Sequence, residues 1–127
     1  NSLAVAKHLK NHPGVEWVRF PGLEDDPEFE KNQKYLRGKG GSVVVFGIKG
    51  GAEAGAKFIN SLQMFSHVAN LGDAKSLAIH PATTTHSQLS SEQQLAGGIR
   101  PELVRLSIGI EHIEDILTDL DQALEKA

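Results

Sequence analysis

The stretch LVRLSIGIEHIEDILTDL, residues 103–120, decides the fold class because its periodicity changes once along its length. In the first half Val104, Leu106 and Ile108 alternate with Leu103, Arg105 and Ser107, the period of two that marks a strand with an apolar face and a mixed face. After Gly109 the apolar residues Ile113, Ile116, Leu117, Leu120 and Leu124 recur at helical spacing. Glu111, Glu114 and Asp115 stand near the positive N-terminal end of that helix, and Lys126 near its negative end. A strand followed after a short turn by an amphipathic helix predicts a helix laid back on the apolar face of a sheet. Arg105 does not belong to this pattern. A guanidinium is rarely withdrawn from water without an anionic partner, and its sequence neighbours here are Val104 and Leu106.

Working outward, GSVVVFGI (41–48) is the strongest strand, and its unbroken apolar run 43–46 predicts burial on both faces. The chain then turns at Gly50 and Gly51 into a helix expected to place Ala52, Ala56, Ile59 and Leu62 inward. At the other end, Leu3, Ala6 and Leu9, with Val5 close by, predict a helix that stops before Pro13. The strand VEWVR follows, with Val15, Trp17 and Arg19 expected on one face and Glu16 and Val18 on the other. Residues 21–41 are polar, carry Pro and Gly, and predict an exposed segment with a helical turn at 29–36; the acidic run 24–26 reads as a solvated loop. Residues 64–69 predict a short strand or edge, and Leu77 and Ile79, alternating with Ser76 and Ala78, another strand. Ser90 with Gln93 predicts a capping box for a short helix that Gly97 ends. Together these elements predict a single α+β domain over residues 1–127. Its small, mostly antiparallel sheet has four to five strands, with helices on one face.

Composition narrows the function. The 127 residues carry a net charge of −3, which argues against a nucleic-acid or membrane-surface partner, since both ask for a basic face. There is no cysteine, hence neither a disulfide frame nor a thiolate metal site. This fits a reducing cytoplasm. The helical pattern that starts at Asn1 without an initiator Met reads as a cut through a longer helix.

Several site motifs are missing: no GxxxxGK[ST] loop, no GxSxG elbow and no HExxH. His8 and His12 have the i, i+4 spacing of metal ligands but no third ligand nearby in sequence; surface histidines are the expectation. His80 and His86 flank a Thr83–Thr85 loop, where structural hydrogen bonds are expected. By alternation Arg105, Ser107 and Ser76 share the polar face of the sheet. Two readings of Arg105 follow. It pairs with a carboxylate of its own domain, Glu102 or Glu111, or it binds an external carboxylate through two parallel hydrogen bonds.

The blocks LGDAKSLAIHPATTTHSQLS (71–90) and LVRLSIGIEHIEDILTDLDQAL (103–124) resemble the C-terminal part of the pyridoxal-phosphate-dependent Cys/Met metabolism enzymes. HPGVEWVRFPGL, GGSVVVFGIKGG and KFINSLQMFSHVANLGDAKSL extend the resemblance over nearly the whole chain. The family includes cystathionine synthases and lyases, methionine γ-lyase and the O-acylhomoserine sulfhydrylases. Lys75, where the cystathionine enzymes more often carry glutamate, makes the chain resemble the O-acetylhomoserine sulfhydrylase branch most. The resemblance implies the small C-terminal domain of an aspartate-aminotransferase-like fold. It also implies a cytoplasmic homotetramer, whose large domain holds pyridoxal phosphate on a lysine. It assigns binding of the amino-acid substrate's α-carboxylate to Arg105, a substrate-binding place beside that carboxylate and the cofactor lysine to Ser76, and a place in the substrate-side loop to Thr85. The family's cofactor-lysine motif has no counterpart here, and Lys39, Lys49 and Lys57 stand in other contexts. The resemblance therefore implies no catalytic, cofactor-binding or metal residue within these residues, and no turnover by them alone. The competing expectations are another member of the family, a cystathionine γ-synthase or lyase or a methionine γ-lyase, and a non-catalytic amino-acid-binding module.

Overall fold

The computed structural model describes residues 1–66, 74–83, 90–97 and 100–127. The elements run α1 (Ser2–Lys10), β1 (Val15–Arg19), α2 (Phe29–Tyr35), β2 (Val43–Ile48), α3 (Gly51–Ser61), β3 (Leu77–Ile79), α4 (Ser91–Ala96), β4 (Leu103–Ser107) and α5 (Ile113–Lys126). The four strands form one sheet in the order β1-β2-β4-β3, each pair antiparallel. The last strand in sequence is thus inserted between β2 and β3, so Arg105 lies inside the sheet, between Val45 and Ile79.

α1, α3 and α5 cover one face of the sheet, as the apolar period of residues 103–120 predicts. Val44 and Phe46 of β2 and Val104 and Leu106 of β4 are fully buried against them. Phe58 of α3 meets Phe46 edge-on, with ring centroids 5.5 Å apart. Ile116, Leu120 and Ala123 of α5 complete the layer. Each large side chain buried this way contributes roughly 1.5–3 kcal/mol. α5 is held at its start by His112, whose Nδ1 accepts the Glu114 N–H at 3.2 Å. The Ser90–Gln93 capping box forms as expected: the Ser90 hydroxyl accepts the Gln93 N–H and the Gln93 side chain accepts the Ser90 N–H.

The structure corrects three details of facing. A β-bulge between Val15 and Trp17 inserts one residue, so Val15 joins Val18 on the helix side while Trp17 and Arg19 go to the other face. Strict alternation would have kept Val15 with Trp17. In α3 the inward residues are Ala54, Gly55, Phe58 and Ile59. Phe58 carries far more apolar surface than Ala52 or Ala56, and its burial sets the rotation of the helix. Leu3 in α1 is 38% exposed, while Val5, Ala6 and Leu9 are buried. In the segment 64–69, Ser66 forms a parallel bridge to Leu77, and residues 67–69 lie outside the described residues.

Candidate functional site

The second face of the sheet, opposite the three helices, carries the arginine that alternation placed there. Register puts Arg19, Val45, Arg105 and Ile79 in one row across β1, β2, β4 and β3. The face is unevenly covered: Ile79 and Leu77 are buried, Val45 and Arg105 half-buried, and Arg19 exposed. Beside Arg105 a depression of about 500 Å³ opens between Trp17, Arg19, Val45, Arg100 and Leu103. The indole of Trp17 lies on Gly47, where a Cβ would sit 2.1 Å from Nε1.

Three arginines stand on or beside this face, and their partners differ. Arg19 Nε donates to Asp26 Oδ2 at 3.2 Å; Asp26 is itself buried and accepts the Phe20 and Glu28 N–H groups. Arg100 Nε lies 2.7 Å from Glu102 Oε1, and its guanidinium carbon is 5.7 Å from the centroid of the Trp17 ring. Among the described residues Arg105 makes no ion pair and no side-chain hydrogen bond. Both carboxylates that could have neutralised it are engaged elsewhere: Glu102 by Arg100, Glu111 by Ser76. Two residues along the same strand and face, the hydroxyl of Ser107 is buried without a hydrogen-bond partner among the described residues.

Ser76 does not share Arg105's face. Leu77 and Ile79 oppose Ser107 and Arg105, so the alternation of β3 gives that face to them. Ser76 precedes β3 and is fully buried. Its N–H and its hydroxyl each donate to one oxygen of Glu111, both at 2.8 Å, and its Oγ accepts the Gly109 N–H at 2.9 Å. Burial alone would raise the pKa of Glu111. The Ser76 N–H, the Glu111 N–H, the Ser76 hydroxyl and the charge of Lys75 outweigh it, and the carboxyl ends below its ordinary value. Thr85, the third expected substrate-side residue, and His86 lie outside the described residues.

The described histidines serve the fold. His80 is buried, with Nε2 2.6 Å from the Pro101 carbonyl and its ring against Gly55. His8 and His12 both turn toward Asp121 Oδ1, at 2.6 and 3.8 Å, joining α1 to α5. All nine lysines of the chain are described, and each is exposed. A lysine that carries an aldehyde cofactor is activated by desolvation or by a neighbouring cation. None of these side chains is desolvated, so the residues present do not fit as the anchor of pyridoxal phosphate.

Sequence reasoning did not find Glu111 or Asp119 as structural anchors. Asp119 is buried inside α5, and its carboxylate accepts the N–H groups of Gln63, Met64 and Phe65. The available signal was an aspartate on the inward side of α5, between Ile116 and Leu120.

The sequence model of the Cys/Met metabolism PLP-dependent enzymes matches residues 1–125. The chain belongs to this family. It is 52% identical over 124 residues to O-acetyl-L-homoserine sulfhydrylase 1 of Thermus thermophilus, covering 98% of this chain and 30% of that protein. It is 48% identical to the homocysteine synthase of Schizosaccharomyces pombe, over the whole of this chain and 30% of that one. A solved structure from Campylobacter jejuni, described as an O-acetylhomoserine (thiol)-lyase with N'-pyridoxyl-lysine-5'-monophosphate, superposes with a TM-score of 0.86 at 39% identity. That match covers 98% of this chain and 30% of the other. The chain therefore spans about 30% of the length of these relatives.

Proposed function

We propose that these residues form the C-terminal, substrate-side domain of an O-acetylhomoserine sulfhydrylase. That enzyme would convert O-acetylhomoserine and sulfide to homocysteine and acetate. Arg105 would bind the amino acid's α-carboxylate. One observation carries this reading: among the described residues Arg105 is a half-buried guanidinium with no anion, while Arg19 and Arg100 on the same side each have one. Leaving such a group unpaired is costly unless a ligand supplies the charge. Arg105 sits between hydrogen-bonded strands on both sides, so its backbone is fixed before a ligand arrives. A planar fork on a fixed backbone holds a carboxylate in one orientation, and orientation lowers the barrier of the reaction that follows.

Ser76 supports this site from within the sheet. Its hydroxyl proton is already given to Glu111, so its part is to join the ends of β3 and β4. Thr85 belongs to the proposal on resemblance alone. The lysine that holds pyridoxal phosphate would lie in a large domain outside these residues, in keeping with the exposure of all nine lysines here. A cytoplasmic homotetramer completes the proposal, again on resemblance. Among the described residues no helix is long and apolar enough to cross a membrane.

Arg105→Lys in the full-length enzyme tests the assignment, because lysine keeps the charge and loses the fork. kcat/KM for the amino acid should fall about tenfold or more, close to 1.4 kcal/mol, with the KM for sulfide unchanged. Unchanged kinetics would remove Arg105 from the substrate site.

A further inference from the structure

The short edge strand beside Arg105 is secured by a feature that the carboxylate site does not explain. β3 has three residues; it pairs on one side with β4 and is met on the other, among the described residues, by the single Ser66 bridge. Strands this short fray unless something outside the ladder ties them. Here the segment before β3 is fastened to the turn after β4. Ile110 N–H donates to the Ala74 carbonyl at 2.9 Å, and Gly109 N–H donates to Ser76 Oγ. Glu111 then takes both donors of Ser76, one on each carboxylate oxygen. The turn is packed so closely that a Cβ at Gly109 would meet the Ala74 carbonyl oxygen at 2.3 Å and Glu111 Oε1 at 2.5 Å. On the other side, the Asn1 side chain donates to the Gly109 and Glu111 carbonyls at 3.1 and 2.7 Å, tying the start of α1 to the same turn.

We propose that Glu111 is a positioning residue for the carboxylate site, fixing β3 against β4 so that Ile79 and Arg105 keep their places on the shared face. Glu111 does not touch the substrate; it acts through Ser76 and the strand ends. The inference rests on the reading of Arg105 as the carboxylate ligand. It assigns Glu111 a role that its place at the N-terminal end of a helix would not.

The experiment is a kinetic cycle in the full-length holoenzyme, with Glu111→Gln, Ser76→Ala, the double variant and Arg105→Lys. Glutamine keeps the shape but cannot accept from both donors of Ser76. Glu111→Gln should raise the KM for the amino acid about tenfold, with kcat and the KM for sulfide changed less than about twofold. The double variant should fall short of the product of the two single effects, because the Ser76 hydroxyl–Glu111 bond is lost in both, while the Ser76 N–H and Gly109 N–H bonds are each touched by one variant alone. A residue that only stabilises the fold would lower the melting temperature and leave the KM for the amino acid unchanged; that result would overturn the proposal. So would fully multiplicative effects in the double variant. If Glu111→Gln fails to fold, Ser76→Ala alone has to show the rise in KM, and a normal KM there would also overturn it. Arg105→Lys separates the two levels. If it is impaired while Glu111→Gln is normal, the positioning role fails and the carboxylate site stands. If Arg105→Lys is itself normal, the underlying site fails.

Discussion

At the scale of single residues, the buried and half-buried charges among the described residues separate into those settled within the chain and Arg105. Asp26, Glu102, Glu111 and Asp119 are carboxylates with counted donors or a guanidinium partner. Arg105 has neither among the described residues. Asp119 offers the clearest stability test. Replacing it by alanine leaves three backbone N–H groups at residues 63–65 without their acceptor, two of them beside buried or half-buried side chains. The loss should be on the order of 3 kcal/mol in urea unfolding of the chain. A change under about 1 kcal/mol would show that water replaces the carboxylate. Glu111 adds a pH dependence. Its carboxyl ionises below the ordinary 4.5, so its stabilising contribution is complete above that pH and disappears as pH falls through the lowered value. Glu111→Gln should therefore be less stable than the parent chain at neutral pH, with the gap narrowing in acid below 4.5. A gap that is constant with pH would place the effect outside the carboxylate's charge.

At the scale of elements, what could be read from the sequence follows periodicity, and what could not follows contacts between distant residues. The strand and helix in 103–124 are set by local alternation and helical spacing, and both appear with the expected inner residues. The capping box at Ser90 is equally local. The bulge at Glu16 is not: it depends on where β1 meets β2, and it moves Val15 to the helix side. Ser76 departs from its expected side for a related reason, since which residues of β3 share Arg105's face is set by the register of β3 against β4, a strand far away in sequence. Arg105 was legible because an arginine at a strand position is improbable in itself; the fact that Glu102 and Glu111 are taken by others needed coordinates. The bulge also gives a test. It lays Trp17, the chain's single tryptophan, over Gly47. Gly47→Ala should lift the indole, shift its fluorescence and cost about 1–3 kcal/mol. An unaltered emission spectrum would contradict the close seating of the ring.

At the scale of the whole molecule, the sheet has one face sealed by three helices and one face graded from buried at β3 to exposed at β1. The division of labour proposed for the full-length enzyme puts substrate recognition on that second face and cofactor chemistry elsewhere. The isolated chain mixed with pyridoxal phosphate and reduced with borohydride should therefore show low, scattered labelling of surface lysines by mass spectrometry. Stoichiometric labelling of one lysine would contradict the division. The central claim, that Arg105 meets the α-carboxylate, is tested most directly by comparing O-acetylhomoserine with its α-carboxamide in the full-length enzyme and in Arg105→Ala. The account predicts that the parent enzyme prefers the carboxylate by about tenfold or more in kcat/KM and that the variant loses this preference. A variant that still discriminates as strongly as the parent would show that another group reads the carboxylate.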